Sequence, residues 1–172
     1  LSEVRVALGD ARMRQLRFTV TSPPNTGVLL DDFEIVPLRP QEIAAVEVVS
    51  TTLPALVGAP ASAILKLDIE TRGRLEPIGL TEVEGRLEGT TDLDAVTELA
   101  LYRGRTFRDA RRFKDQKLTR EADGSFRITL EGASAALDEG TNSVWLAGRL
   151  RSDADVDGRI GARCHRVSFS NE

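Results

Sequence analysis

The sequence is poor in the side chains on which most active sites depend. It contains 172 residues but only one Cys and one His, together with one Met, one Trp and one Tyr. A single cysteine, Cys164, excludes an intramolecular disulfide, and one Cys with one His excludes a four-ligand Cys/His zinc site. Cys164 and His165 are adjacent, so in an extended strand their side chains point to opposite faces. This spacing argues against a Cys-His nucleophile pair.

The chain also lacks an excess of basic residues and long apolar runs. With 27 acidic and 23 basic residues its net charge is −4, which is not the charge pattern of a duplex nucleic-acid binder. No apolar stretch approaches the ~18 residues that a membrane span needs, and no secretory signal lies within the chain. We therefore predict no nucleic-acid partner and no membrane span. Because the chain begins at Leu1, we expect a mature product or an excised fragment whose targeting signal lies upstream.

What the sequence does contain is a repeated two-residue alternation of apolar and polar side chains. The clearest runs cover residues 65–69, 83–87 and 126–130. Each is typical of a strand with one buried and one solvent-exposed face. A further strand over residues 144–150, in which Trp145 has the opposite parity to its apolar neighbours, is predicted to be covered on both faces. The last strand is predicted to start at Ile160, and a change of apolar parity at Val167 predicts a β-bulge.

Turn sequences separate these runs at regular intervals. They are Arg72-Gly73, Glu88-Gly89, Asp123-Gly124, Glu139-Gly140 and Asp157-Gly158. Short strands at this spacing, with no long helical pattern between them, predict an all-β, antiparallel, immunoglobulin-like β-sandwich. The best helical candidate, residues 92–101, is predicted to be a short turn that leads into a strand.

A smaller unit precedes the sandwich. Two strand-like runs around a Ser-Pro-Pro-Asn-Thr-Gly turn predict an N-terminal β-hairpin segment within residues 1–36. Pro37 and Pro40 predict a linker over residues 37–43, because proline cannot feed a continuing central strand and stiffens a connection. The main domain is then predicted to span residues 44–172.

Several segments of the main domain carry a family resemblance. In chain order they are Gly89-Thr90-Thr91-Asp92-Leu93, Leu101-Tyr102, Glu139-Gly140-Thr141-Asn142, Val144-Trp145-Leu146, and the closing Gly158, Ala162 and Cys164. In their order and spacing, residues 44–169 resemble the N-terminal β-sandwich domain that precedes the catalytic β-propeller of bacterial BNR-repeat neuraminidases (sialidases). The resemblance implies a non-catalytic accessory domain of a secreted or cell-envelope enzyme, whose partner is the catalytic propeller of the same parent chain.

Two further comparisons bear on the parent protein. Residues 28–35 are similar to the final strand of jelly-roll or laminin-G-like modules. The similarity implies that residues 1–36 are the tail of such a module, and the alternative is a hairpin that pairs onto the sandwich; because an isolated hairpin is marginally stable, we predict that it docks. The propeller itself is not expected in this chain. Trp145 follows Thr141 by four residues instead of the one that an Asp-box requires, and no repeat of propeller length is present.

One strongly basic segment is a candidate binding site. Residues 103–124 contain eight basic and four acidic residues, a local net charge of +4. The candidate ligand-binding residues are Arg103, Arg105, Arg108, Arg111 and Arg112. Arginine binds acidic groups bidentately, so this segment is predicted to contact an anionic glycan. The alternative is a solvated hairpin that Phe107 and Phe113 anchor to the core.

An acidic turn is a candidate calcium site. Asp153, Asp155 and Asp157 alternate and are followed by Gly158, as in the first positions of a calcium loop. Counted from Asp153, however, the twelfth position is Cys164, so the bidentate Glu is missing. The alternative is an acidic β-turn, and no other cofactor is predicted.

Two aromatic residues complete the set of candidates. Trp145 is predicted to be a buried core residue whose indole N–H has a partner, instead of an exposed platform for sugar stacking. Tyr102 and Glu98 share a strand face, and sialidases use a Tyr with a Glu as their nucleophile pair. In the resembled family that pair belongs to the propeller, so here we predict an ordinary strand Tyr and a surface Glu.

Two functions therefore stay open at the level of sequence. The first is a non-catalytic accessory domain of a secreted sialidase-type glycoside hydrolase, which positions the catalytic propeller or tethers it to glycan. The alternative is a free-standing carbohydrate-binding or adhesion module. An enzyme within this chain is disfavoured because general acid–base catalysis needs a pocket and a perturbed pair of groups that this sequence does not contain.

Overall fold

The computed structural model describes residues 39–51, 54–132 and 135–170. They form nine β-strands: β1 Glu42–Ser50, β2 Ser62–Arg72, β3 Leu80–Arg86, β4 Val96–Arg103, β5 Arg111–Arg112, β6 Gln116–Arg120, β7 Ser125–Leu130, β8 Gly140–Leu150 and β9 Arg163–Phe169. The predicted N-terminal hairpin within residues 1–36 lies outside the described residues. Among the residues that are described, no helix has the length and hydrophobicity of a membrane span.

The strands form two antiparallel sheets that pack face to face. One sheet has the order β1-β2-β8-β4-β5 and the other the order β6-β7-β3-β9. The run β1-β2-β8-β4 follows the A-B-E-D order of an immunoglobulin sheet, and β9 lies beside β3 as strand F lies beside strand C. The hairpin of β6 and β7 occupies the other side of β3. The predicted all-β, antiparallel sandwich is confirmed.

The core lies between the sheets and follows the predicted alternation. Leu65, Leu67 and Ile69 of β2 are at most 2% exposed, and Ile128 of β7 is fully buried against them from the opposite sheet. In a strand every second side chain points to the same face, so one alternating run is sufficient to supply a whole layer of the core.

The central strand β8 is covered on both faces, as predicted. Val144 and Leu146 are fully buried in the core between the sheets. On the opposite face, Trp145 is 9% exposed and Ala147 is 1% exposed. The outer face of the five-stranded sheet is therefore shielded around Trp145.

The predicted bulge in the last strand is present. Glu84 of β3 lies opposite Arg166, and the next residue, Gly85, lies opposite Cys164, so His165 is the extra residue. The extra residue changes which side chains face the core, and this explains the switch of apolar parity. The predicted start of the strand was wrong, because β9 begins at Arg163 and Ile160 lies in the preceding loop.

The segment over residues 92–101 is a turn followed by a strand, as predicted. The side chain of Asp92 accepts hydrogen bonds from the backbone N–H groups of Asp94 and Ala95, and β4 begins at Val96. Residues Phe107–Asp109 form a short 3-10 turn.

The described part of the predicted linker is hydrogen-bonded to the sandwich. Pro40 forms a bridge with Leu75, and Gln41 is 6% exposed. The Gln41 amide donates to the Leu137 carbonyl at 3.1 Å and accepts from the Ile78 N–H at 2.6 Å. Strand β1 begins at Glu42, inside the predicted linker. The division into domains at residues 37–43 stays a prediction.

Candidate functional site

The turn before β8 is built around a buried asparagine. Glu139-Gly140 turns the chain with Gly140 at φ 99°, a conformation that favours glycine. Asn142, 4% exposed, accepts from the Asp138 N–H at 2.9 Å and donates to the carbonyls of Asp138 at 2.7 Å and Gly140 at 3.2 Å. The hydroxyl of Thr71, on β2, donates to the same Asp138 carbonyl at 2.6 Å. The turn is therefore held by side chains on two strands.

Arg103 completes this cluster. Its guanidinium donates to the Ala136 carbonyl at 2.5 Å, to Asp138 Oδ2 at 2.7 Å and to Asn142 Oδ1 at 2.8 Å. We call Thr71, Arg103, Asp138 and Asn142 the Asn142 cluster. Arg103 was predicted as a ligand-binding residue, but its donors already serve acceptors of the protein itself. Its geometry is that of a structural residue.

Two threonines hold the loop before β9 in a similar way. The Thr90 hydroxyl donates to the Gly161 carbonyl at 2.9 Å and accepts from the Gly161 N–H at 3.2 Å. The Thr91 hydroxyl makes the same pair of bonds with the backbone of Arg159, at 3.2 and 2.6 Å. A Cβ at Gly161 would lie 2.5 Å from the Glu88 carbonyl oxygen, so only glycine fits this approach. The segment Gly89–Leu93 thus fastens a loop that is distant in sequence.

The next basic stretch forms a closed and anchored loop, which we call the arginine loop (residues 104–111). Gly104 and Ala110 meet at its neck, where a Cβ at Gly104 would lie 2.5 Å from the Ala110 Cα. The Gly104 N–H donates to the Ser143 carbonyl at 3.1 Å. The Trp145 indole N–H donates to the Gly104 carbonyl at 2.7 Å. These two hydrogen bonds attach the neck of the loop to strand β8.

An aromatic group under the arginine loop covers the outer face of the sheet. The Phe107 ring lies 5.8 Å from the Trp145 ring and 5.8 Å from the Tyr102 ring, at interplanar angles of 54° and 71°. The ammonium of Lys66 lies 5.4 Å from the Trp145 ring centroid. The prediction for Trp145 is confirmed, since it is buried and its N–H has a partner.

The two phenylalanines of the basic segment anchor it to opposite faces of the same sheet. Phe113 is 5% exposed and belongs to the core between the sheets, as predicted. Phe107 packs on the outer face against Trp145 instead, so its predicted contact with the core was wrong. The sequence spacing of the two residues does not reveal this difference, because it arises where the chain folds back at the neck of the arginine loop.

The remaining candidate arginines differ in how they are paired. Arg112 forms an ion pair with Glu98 at 2.5 Å, across the outer face of β4. Arg105, Arg108 and Arg111 are exposed, and none has an ion pair or a side-chain hydrogen bond with another residue that the structure describes. Arg111 lies opposite Arg103 in the pairing of β5 with β4. One anchored loop thus carries three arginines that have no partner in the described part of the chain.

Tyr102 and Glu98 share the outer face of β4, as expected from their spacing. Glu98 is bound to Arg112, and the Tyr102 ring is packed edge-on against Phe107. Glu98 is therefore part of a surface ion pair, and Tyr102 is part of an aromatic cluster. Both findings agree with the prediction of an ordinary strand Tyr and a surface Glu.

The acidic turn does not bring its carboxylates together. Asp153 is bound to Arg151 at 2.5 Å, and Asp155 accepts a hydrogen bond from the Asp157 N–H at 3.0 Å. Within the described part of the chain, no group of three or more His, Cys, Asp or Glu side chains is placed to hold a metal ion. The calcium hypothesis gains no support from this geometry and stays a prediction for calorimetry to test.

One juxtaposition was not foreseen from sequence. Ser125 and His165 line the same depression of about 290 Å³, beside Glu84 and Arg127. The Ser125 hydroxyl donates to Asp123 at 3.1 Å, however, and Glu84 pairs with Arg127. The depression therefore contains a serine and a histidine, and Glu121 also lines it, but no carboxylate among the described residues is hydrogen-bonded to the histidine to orient it as a base.

Two pKa shifts agree with this picture of structural roles. Hydrogen bonds from the Ser125 backbone and hydroxyl lower the pKa of Asp123. Burial raises the pKa of the Cys164 thiol, which packs against the core. A raised thiol pKa reduces the thiolate fraction, which is the reverse of what an activated cysteine nucleophile needs.

Comparison with known proteins gives a family match over the sandwich. No curated protein is significantly similar to the chain. The profile of a family described as the N-terminal domain of BNR-repeat neuraminidase matches residues 44–172. This match covers the sandwich, including the Asn142 cluster, the Thr90-Thr91 segment and the arginine loop. The chain belongs to the family of N-terminal domains of BNR-repeat neuraminidases.

Proposed function

We propose that this chain is a non-catalytic accessory domain of a secreted sialidase-type glycoside hydrolase. In this role it positions the catalytic β-propeller of the parent chain and tethers it to glycan at or outside the cell envelope. The observation that supports this proposal is the structural role of the segments that resemble the family. Asn142, Thr90 and Thr91 hold loops of the sandwich, and none of them lines a pocket that gathers reactive groups. The hydrogen bonds of these residues hold the shape of the sandwich.

A rigid sandwich can assist a separate catalytic domain without taking part in the chemistry. Two modules in one chain meet their ligands at an effective concentration that the connection between them sets. A domain that stays folded and binds a surface raises the local concentration of substrate for its partner. The raised pKa of Cys164 and the pairing of Glu84 with Arg127 beside His165 also favour a role without catalysis.

The test separates the chain from its parent enzyme. This chain alone is expected to give no turnover of a fluorogenic sialoside. Deletion of residues 39–172 from the parent is expected to leave kcat/KM on a small soluble sialoside nearly unchanged, and to lower the rate on substrate displayed on a surface. Turnover by the isolated chain would refute the assignment. Equal rates of the full and truncated parent on displayed substrate would refute the tethering role.

A second function, a free-standing carbohydrate-binding or adhesion module, is favoured by one specific observation. Arg105, Arg108 and Arg111 are exposed and have no partner among the described residues. The gene sequence after residue 172 discriminates the two functions. A propeller with Asp-boxes supports the accessory domain, whereas a stop codon supports the free-standing module.

A further inference from the structure

We propose that the arginine loop binds an acidic polysaccharide, through Arg105, Arg108 and Arg111. The ligand class is a glycan chain that carries repeated carboxylate or sulfate groups. This inference rests on the tethering role proposed above and assigns it to a surface. It also narrows the five arginines suggested by the sequence to three.

The first argument is the unequal use of arginine along the basic segment. Arg103 is bound to Asp138 and Asn142, and Arg112 is bound to Glu98. Arginines on other elements are of two kinds: Arg39, Arg72, Arg149, Arg159 and Arg166 have no side-chain partner among the described residues, whereas five others form ion pairs. They pair as Arg74 with Glu139, Arg86 with Asp123, Arg127 with Glu84, Arg151 with Asp153 and Arg163 with Glu88. What distinguishes the arginine loop in this chain of net charge −4 is density: three arginines without a partner among the described residues lie within seven positions, whereas the others are spread over separate elements.

The second argument is that the loop is pre-organised. Its neck is closed by Gly104 against Ala110, and its 3-10 turn is closed by the Ala110 N–H, which donates to the Phe107 carbonyl at 3.2 Å. Phe107 is packed on Trp145, which is itself bonded to Gly104. Binding then orders the arginine side chains and not the backbone that carries them, which reduces the entropic cost of association.

The third argument concerns the only acidic side chain within the loop. Asp109 accepts a hydrogen bond from the Thr106 hydroxyl at 2.9 Å, so it is held by a neutral group within the loop. The loop arginines therefore keep donors available for an outside acceptor. A guanidinium presents a planar fork of N–H donors that matches the oxygens of a carboxylate or sulfate.

The exposure of the three arginines indicates what form the ligand takes. Exposed side chains lie along a chain placed over the surface, but they do not enclose a single sugar from several sides. Affinity then comes from several weak contacts with successive acidic groups, and it falls as salt screens them. A repeating acidic polysaccharide meets these conditions, whereas an isolated monosaccharide does not.

The experiment is calorimetric titration of this chain with two probes, polysialic acid and chondroitin sulfate, and with neutral dextran as a blank. Comparison of the two probes separates carboxylate from sulfate as the preferred acid. Binding to at least one probe is expected, with a marked loss of affinity on raising the salt. The triple variant R105A/R108A/R111A is expected to bind at least about tenfold more weakly, since even one charge-assisted hydrogen bond contributes roughly a factor of ten.

The matched control removes the same charge elsewhere. Arg72, Arg159 and Arg166 are also exposed, have no side-chain partner among the described residues, and lie on other elements. The variant R72A/R159A/R166A is expected to retain affinity within about twofold, because long-range effects of exposed charges are screened. If both triple variants lose affinity equally, binding is a response to net charge and the assignment to the loop is wrong.

A second variant tests the loop without changing its charge. Phe107→Ala removes the contact with Trp145 while it leaves every arginine in place. Weaker binding by a variant that melts near the wild-type temperature supports pre-organisation, and unchanged binding excludes it. Absence of binding to both probes, or equal binding to duplex DNA, overturns the proposal. Neither result touches the deletion test of the parent enzyme, so the two proposals fail separately.

Discussion

Two stretches of one basic segment use the same side chain in opposite ways. Arg103, at the end of β4, is 29% exposed and its guanidinium serves three acceptors of the protein. Arg105 and Arg108, only two and five positions later, are exposed and have no side-chain partner among the described residues. The difference comes from the acceptors. The turn before β8 presents a carbonyl, a carboxylate and an amide oxygen to Arg103, whereas no acceptor among the described residues is hydrogen-bonded to the guanidinium of Arg105 or Arg108.

The comparison teaches that charge density does not mark a binding site by itself. Arg103 counts toward the net charge of the segment, but removing it is expected to unfold the turn before β8. Arg105 counts equally, but removing it is expected to change only binding. The predictions below test this division, beginning with the largest effect.

The largest effect is expected at the centre of the Asn142 cluster. Asn142→Ala leaves the Asp138 N–H and one N–H of Arg103 without their partner in a site that is 4% exposed, and it leaves the Asp138 carbonyl with the Thr71 hydroxyl as its remaining donor. Unsatisfied buried polar groups cost about 1–3 kcal/mol each, so the free energy of unfolding should fall by about 2–4 kcal/mol. Urea denaturation followed by Trp145 fluorescence measures it. The exposed neighbour Thr141→Ala is the control, and an equal loss in both variants would contradict the role of Asn142.

The next effect separates Arg103 from the arginine loop directly. Arg103→Met removes three hydrogen bonds but keeps most of the apolar stem, and should lower the free energy of unfolding by about 1–2 kcal/mol. Arg105→Met should change it by less than about 0.5 kcal/mol, since it is a surface substitution without a partner. If the two variants lose equal stability, the division between the two stretches is false.

A third effect tests how firmly the arginine loop is anchored. Trp145→Phe deletes the indole N–H and leaves the Gly104 carbonyl without its donor. The expected loss is about 1–2 kcal/mol, from that bond and the smaller ring. Limited proteolysis should also cut this variant faster within residues 104–111, because the neck of the loop opens more often. Unchanged cleavage would show that the loop keeps its shape without this hydrogen bond.

The smallest effect concerns Arg112, which is intermediate between the two classes. Its ion pair with Glu98 is half exposed, at 49% and 39% for the two side chains. Such surface pairs contribute about 0–1 kcal/mol, and salt screens them. Arg112→Ala should therefore lower stability by no more than about 0.5 kcal/mol at low salt and by less at high salt. A loss as large as that of Arg103→Met would move Arg112 into the structural class.

Some elements of the fold could be predicted from sequence because the signals are local. The alternation at Leu65, Leu67 and Ile69 follows from the two-residue period of a strand, whatever lies opposite. The parity switch near Val167 indicated a bulge for the same reason. The start of the last strand was missed, since Ile160 lies in a loop that Thr90 and Thr91, in the connection between β3 and β4, hold by hydrogen bonds.

Less of the candidate site than of the fold could be predicted from the sequence. The sequence determined that residues 103–112 are rich in arginine, that Trp145 is buried, and that no Cys-His pair is available, because composition and strand parity are sufficient for each. Only the tertiary structure decided which arginines are free. Arg103 finds its carbonyl acceptor 33 residues along the chain, and Thr90 finds Gly161 at a separation of 71. Such partners meet only after the sheets have formed, so no local pattern records whether a given side chain is bound within the protein or left for a ligand.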